Sequence, residues 1–494
     1  MKLEKLYDIS FPLSDDKKLL YFQGQYNQSG DTIIINKNET LDLGTYFNSI
    51  SIKKWISYTS ITKIKVTLHL IGNFFVDFYG VSINGEEEVL RIKCDDSLEQ
   101  TFNAADFDDF DLIGIRLTAL NDEAKFLGGQ YSGIFQFESE IKIGITICTF
   151  NREKYLLPNL DKLKQLTDRN KDINVMVIDN GRTLAEQDTP ELQIIHNPNF
   201  GGSGGFARGM IEQVNKNKNT HLILMDDDII IELSSLERIY CLLRHLKPEH
   251  STKFFAGAMI RLDEPTIQHE NTAYWNGMIA RSFGKGFNLT DKYILCMNES
   301  IESNINRYAG WWFCCIPVDV VKKIGYPLPV FIKGDDVEYG IRNQNDILTM
   351  NGIGVWHEAF AKKENPVIKY FSDRNMFLVN HFAFGFGRMT MMISILLKIV
   401  KRIFNGDWDN IRIMEPALKD LNEGLTGMTA IASDEKFASL KNYPLDKNII
   451  SSIISIIKLG IEHCINYDKL DEEYKHFRSE NLLDQKFWRR YLNI

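Results

Sequence analysis

His221-Leu222-Ile223-Leu224-Met225-Asp226-Asp227-Asp228 is the stretch on which the reading of this chain turns. An apolar run that breaks into three carboxylates reads as a buried strand ending at the rim of a sheet. Ligands of open α/β sheets bind beyond such strand ends. Side chains two apart on an extended chain point the same way, so Asp226 and Asp228 converge while Asp227 turns aside. Two convergent carboxylates suit a hard divalent cation, which keeps coordination positions for substrate phosphates. A solvated acidic turn is the bland alternative, and the flanking sequence argues against it.

That flanking sequence alternates. Short apolar runs at 141–148, 174–178, 192–195 and 222–225 are separated by helical stretches near 153–167, 205–215 and 233–246. The alternation predicts a parallel sheet with covering helices between about residues 140 and 373. Residues 1–139 read differently. Ile64, Val66, Leu68 and Leu70 alternate with Lys63, Lys65, Thr67 and His69, and Ile113, Ile115, Leu117 and Ala119 repeat the two-residue period. Short strands between turn signals predict an N-terminal β-sandwich. Residues 374–494 read as mainly helical. Thr390, Ser394, Lys398 and Lys401 recur at helical spacing over 388–404 and leave a wide apolar face. The uncharged stretches around Arg388 fall short of the roughly 20 residues a membrane span needs, so a docked helix or a contact with a membrane surface is expected.

Composition narrows the function classes. The 494 residues are 44% hydrophobic and 25% charged, which are globular values, and the net charge of −9 argues against a nucleic-acid partner. An anionic substrate therefore needs local help from Arg, backbone N–H groups or a metal. The seven scattered cysteines form no CxxC pair and no zinc spacing, which fits a reducing compartment. Met1-Lys2-Leu3-Glu4-Lys5 carries charge where a signal peptide needs an apolar core. The expected location is the cytoplasm, at or near the cytoplasmic face of the cell membrane.

Candidate chemistry gathers at the strand ends. The first strand runs into Thr149-Phe150-Asn151-Arg152, where Arg152 can pair with phosphate oxygens. Asp179-Asn180-Gly181 follows the second and is also an ordinary turn signal. Asn199-Phe200-Gly201-Gly202-Ser203-Gly204-Gly205 opens a helix whose glycines would let a phosphate approach backbone N–H groups. Gly202, Gly204 and Ala207 also match a dinucleotide fingerprint with Asp226 as ribose acid, although these glycines follow the third strand rather than the first. Trp311 and Trp312 are either a sugar platform or core. Asp335, Asp336 and Glu338 open a further helix, where a carboxylate can act as general base or merely complement the helix dipole. His357 ends another apolar run and becomes a metal-ligand candidate only because of the acidic triplet.

Thr149-Phe-Asn-Arg152, Asp179-Asn-Gly181, the glycine segment, Asp226-Asp-Asp228, Trp311-Trp312, Phe331-Ile-Lys-Gly-Asp-Asp336 and Trp356-His-Glu358, in this order, resemble family 2 glycosyltransferases of GT-A fold. Within that family the chain is most similar to the bacterial polymerising galactofuranosyltransferases. The resemblance covers roughly residues 140–375. It implies that Asp226, Asp228 and His357 hold Mg²⁺ or Mn²⁺. It places Arg152, Asp179, Asn199, Gly201, Gly202 and Asp227, with Asp226, around the nucleotide donor. It further implies that Trp311, Trp312 and Glu338 line the acceptor site, and that Asp336 is the base with Asp335 beside it. The implied partners are a nucleotide sugar and a growing glycan or lipid-linked glycan, with a homo-oligomer as a further expectation. The reaction is then inverting, a single displacement with no covalent intermediate. One residue departs: Gly334 stands where the polymerising enzymes have Trp, which leaves the acceptor open. Galactofuranose from its UDP-sugar is the expected donor. Rhamnose or another hexose, a nucleotide-cofactor oxidoreductase and a non-catalytic glycan-binding protein are the alternatives.

Overall fold

The computed structural model describes residues 3–216, 218–300, 307–344, 346–358, 365–430, 433–441, 443–483 and 485–494. Eight strands form the central sheet, in the order Gln187–Asp188, Leu192–His196, Ile173–Asp179, Ile143–Thr149, His221–Asp226, Cys314–Pro317, Phe254–Ala256 and Ile347–Leu348. The four from Leu192–His196 to His221–Asp226 are parallel, and Cys314–Pro317 runs against them. Parallel neighbours need crossovers, and the helices Glu153–Arg169 and Gly201–Asn215 supply two of them. Apolar residues cover both faces of the sheet, which is why its strands read as continuous apolar runs rather than alternating ones.

Two antiparallel sheets precede it, one of six strands and one of five. Ile64, Val66, Leu68 and Leu70 point inward, as do Ile113, Ile115, Leu117 and Ala119. The last of these strands ends at Phe135, and the central sheet begins at Ile143. Their apolar core runs on without a break into the core beneath the central sheet. Tyr46 donates to Ile353 O at 3.2 Å, Arg238 Nη2 donates to Phe47 O at 2.8 Å, and Tyr21 donates to Glu232 at 2.5 Å.

The far face of the sheet carries the helix Gly201–Asn215, and the C-terminal helices share its apolar core. Residue 373 does not end a unit. It lies in the middle of the helix Pro366–Phe382, where Asp373 is buried against Lys398 and Arg402 at 2.6 and 2.5 Å. Asp373 and Arg374, on either side of the expected boundary, are both buried. The helix Lys486–Leu492 returns to the central domain, packing the tilted Tyr491 ring against Phe200 at 4.4 Å and donating from Trp488 Nε1 to Pro327 O at 2.9 Å.

Candidate active site

Strand register brings the acidic residues level. Thr149 pairs with Asp179 and Cys148 with Asp226, so three parallel strands end at one rim. Beyond the triplet, Ile229–Ile231 pairs with Gly354–His357 with Ile229 opposite His357, which sets His357 beside Asp228. Its Nε2 lies 3.0 Å from Asp228 Oδ1 and 3.7 Å from Asp226 Oδ2, and one ligand atom from each residue falls within 4.8 Å of the others. Asp227 turns away as extended geometry requires. It accepts from Thr149 Oγ1 at 2.7 Å, and burial pushes its carboxyl up to about 6.

The donor set fits a divalent cation. His357 Nδ1 lies 2.6 Å from the carbonyl oxygen of Glu358. A carbonyl only accepts, so Nδ1 carries the proton and Nε2 turns a lone pair toward the carboxylates, as a metal-binding imidazole does. Two carboxylate oxygens and an imidazole suit Mg²⁺ or Mn²⁺. Arg152, at the entry to Glu153–Arg169, donates to Asp228 Oδ2. It therefore reaches the same carboxylate from the opposite side.

Asp335 and Asp336 open the helix Asp335–Asn343. Asp335 is buried and Asp336 half-buried, and Asp336 Oδ1 accepts from Val337 N at 2.8 Å. Burial raises both carboxyls well above the usual carboxylate range. The charge of Asp336 adds to the rise at Asp335, and those of Glu270 and Asp226 add to it at Asp336, while Lys333 opposes. The two acidic groups thus share one electrostatic neighbourhood. Glu270 was not singled out by the sequence. It is itself buried and raised, and accepts from Ser282 Oγ at 2.5 Å. A carboxylate inside a three-residue strand, Gln268–Glu270, is its weak sequence signal.

Several of the other candidate residues have structural contacts of their own. Asp179 is fully buried and accepts from the N–H groups of Gly181, Thr183 and Leu184 at 2.9, 2.8 and 2.8 Å. It holds the loop that follows its strand. Asn199 caps the backbone locally, with Oδ1 accepting from Gly201 N at 3.1 Å. Gly201, at φ 68°, lies so close to Phe331 O that a Cβ would overlap it, and a Cβ on Gly202 would lie 3.6 Å from Asp335 Oδ2. Gly201 thus admits the protein's own base loop, while Gly202 would meet only an ordinary contact there. Trp311 and Trp312 are each 5% exposed. Trp311 packs edge-on to Phe206 and Tyr339 at 5.2 and 5.8 Å, while Trp312 Nε1 donates to Gly257 O at 3.0 Å. Neither ring offers a face to a sugar, so both belong to the core. Glu338 is buried against Arg342 at 2.8 Å and accepts from Tyr474 at 3.1 Å. It is a structural ion pair, and the arginine four residues on was the signal for it.

The geometry and the comparisons with known proteins meet here. Residues 142–359 match the family described as glycosyltransferase like family 2. More particularly, the chain is 25% identical over 434 residues to galactofuranosyltransferase GlfT2 of Mycolicibacterium smegmatis, covering 80% of this chain and 66% of that protein. It is also 25% identical over 386 residues to GlfT2 of Mycobacterium tuberculosis, covering 70% and 59%. The matches thus span less than two thirds of the length of these curated relatives. Among solved structures, S. aureus TarS 1-349 in complex with UDP aligns over 68% of this chain and 92% of that one, at 15% identity and a TM-score of 0.36.

Proposed function

We propose that this chain transfers a sugar, with inversion, from a nucleotide diphosphate sugar to a hydroxyl of a growing cell-surface glycan, and that the donor is UDP-galactofuranose. The observation that carries this is the meeting of Asp226, Asp228 and His357 at a strand-end rim that also holds the raised Asp335–Asp336 pair. The match to GlfT2 proteins supports the sugar. Asp226, Asp228 and His357 would hold Mg²⁺ or Mn²⁺, which when bound neutralises charge developing on the departing diphosphate.

The chain's own residues do the rest. Thr149 holds Asp227 off to one side, and the Glu358 carbonyl fixes the His357 tautomer. Arg152 flanks Asp228 from the solvent side with a cation able to pair with diphosphate oxygens. Asp336 accepts the proton of the acceptor hydroxyl as that oxygen attacks the anomeric carbon. Its raised affinity for protons suits a base working near neutral pH. With the tryptophans and Glu338 in the core, the acceptor is left to the surface beside the half-buried Asp336 and the exposed Lys333.

We place the protein at the cytoplasmic side of a membrane, where a lipid-linked acceptor would be met. The test of the function is a panel of nucleotide sugars, with Mn²⁺ and a lipid-linked or synthetic glycan, read by mass spectrometry. UDP-galactofuranose should extend the acceptor by one hexose at a time. Extension from dTDP-rhamnose alone would name the other donor, and no extension from any sugar would overturn the proposal.

A further inference from the structure

The loop leading to Asp335 and Asp336 is built from conformations that side-chain-bearing residues avoid. Phe331 and Lys333 sit at φ 70° and 65°, followed by Gly334 at 90°. Such backbone persists where its surroundings over-determine it, and it gathers at functional sites. Two clamps do so here. On one side, Ser203 N donates to Phe331 O at 3.1 Å and Phe331 N donates to Ser203 Oγ at 2.9 Å.

On the other side stands Asn375, fully buried in the helix Pro366–Phe382. Its Nδ2 shares its two hydrogens among the carbonyls of Val330, Ile332 and Lys333, at 3.1, 2.7 and 2.6 Å. Its Oδ1 accepts from Arg374 Nε at 2.9 Å, while Arg374 Nη2 donates to Val330 O at 2.9 Å. A guanidinium has no acceptor, so chemistry fixes which way the amide points. Three carbonyls drawn to one amide hold the loop at the turn where Gly334 begins the base helix. From there Gly334 O accepts from Glu338 N at 3.0 Å. Asp336 sits in that first turn.

We propose that Asn375, oriented by Arg374, is a positioning residue for the Asp336 carboxylate, acting through the backbone of residues 330–334. The inference rests on the reading of Asp336 as general base. Both residues lie beyond the matched stretch 142–359, so the base is aimed from the C-terminal helices. The clamp helix is in turn held by the next one through Asp373, Lys398 and Arg402.

The test uses the full chain with Asn375→Ala and Asn375→Asp, the second keeping shape while removing the amide donors. A displacement of reacting groups by about 1 Å can cost two orders of magnitude in rate, and turnover should fall at least about tenfold here. The acid limb of the turnover profile should move, because the surroundings of Asp336 change. Affinity for UDP with Mn²⁺, read by calorimetry, should stay within about twofold, since the metal ligands lie on other strands. Turnover within about twofold of wild type in either folded variant would overturn the clamp. Should both variants unfold, Arg374→Lys decides. It keeps the charge but cannot hold Val330 O and Asn375 together, and unchanged turnover in it overturns the proposal equally. A wild-type protein that transfers no sugar at all would instead remove the reading beneath it.

Discussion

Asp228 and Asp336 are held for opposite tasks. Asp228 lies between the Arg152 cation and the ring of His357, at the candidate cation site, while burial raises the Asp336 carboxyl toward its neutral form. Asp336→Asn keeps the shape but cannot take a proton, and a loss of about 10²-fold or more in turnover is expected at nearly unchanged UDP affinity. Calorimetry run beside the kinetics checks it, and a collapse of UDP affinity would move Asp336 to the donor site. The same rise sets a pH dependence. Activity needs the ionised base, so it should fall on acidification at a pH above the ordinary carboxylate range. Stability runs the other way. Carboxyls whose folded pKa is raised add stability that is fully present below the unfolded value of 3.8 and lost as pH climbs through the raised one. Melting of the metal-free protein at two such pH values reads it. Trp311→Ala should cost about 3–5 kcal/mol, because it empties a packed site between Phe206 and Tyr339; a normal melt with altered acceptor use would restore the sugar-platform role. The triplet was legible because strand geometry alone sorts Asp226 and Asp228 from Asp227. The fate of the Trp pair was not, since aromatic residues look the same in sequence whether they stack on a sugar or on Phe206.

At the scale of elements, the glycine helix shows where periodicity stops informing. Its place after the third parallel strand was readable, and its start at Gly201 was placed four residues late. The glycines look like a phosphate cradle, yet Gly205 backs onto Cys148 and Gly209 onto Thr146 so closely that a Cβ would overlap either side chain. They serve the packing of helix on sheet, a long-range fact that local sequence does not carry. Gly205→Ala should therefore destabilise by about 1–3 kcal/mol through overpacking, whereas a phosphate cradle would predict weaker UDP binding at normal stability. Thermal melts and UDP titration of the one variant separate these outcomes. The clamp helix was equally hidden. Asp373, Arg374 and Asn375 are three consecutive polar residues, and each is satisfied by a partner distant in sequence, at Arg402, Val330 and Ile332.

At the scale of the molecule, the N-terminal sheets, the central domain and the C-terminal helices share continuous apolar cores. One surface stands apart. The helix Arg388–Phe404 buries Met391, Ile395 and Ile399 but exposes Met389 at 72% and Phe404 at 86%. It runs antiparallel beside Ile449–Ile465, with Cys464 near Arg388 and Gly460 near Met392, and that helix exposes Ile450 at 65% and Ile465 at 74%. Among the described residues no single helix is long and apolar enough to cross a membrane. Lys398 and Arg402, the cations of this helix best placed to grip anionic lipid, are committed to Asp373. Binding to liposomes through this aliphatic ridge should therefore survive high salt. Release by salt would contradict that, and a concentration-dependent dimer with no liposome binding would give the ridge to a second copy. The central claim is tested most directly by UDP-galactofuranose transfer in wild type and Asp228→Ala, each with EDTA and then with excess Mn²⁺. The wild type should extend its acceptor, stop in EDTA and recover with Mn²⁺, while the folded variant stays inactive throughout; full transfer in EDTA, or by Asp228→Ala, would contradict it.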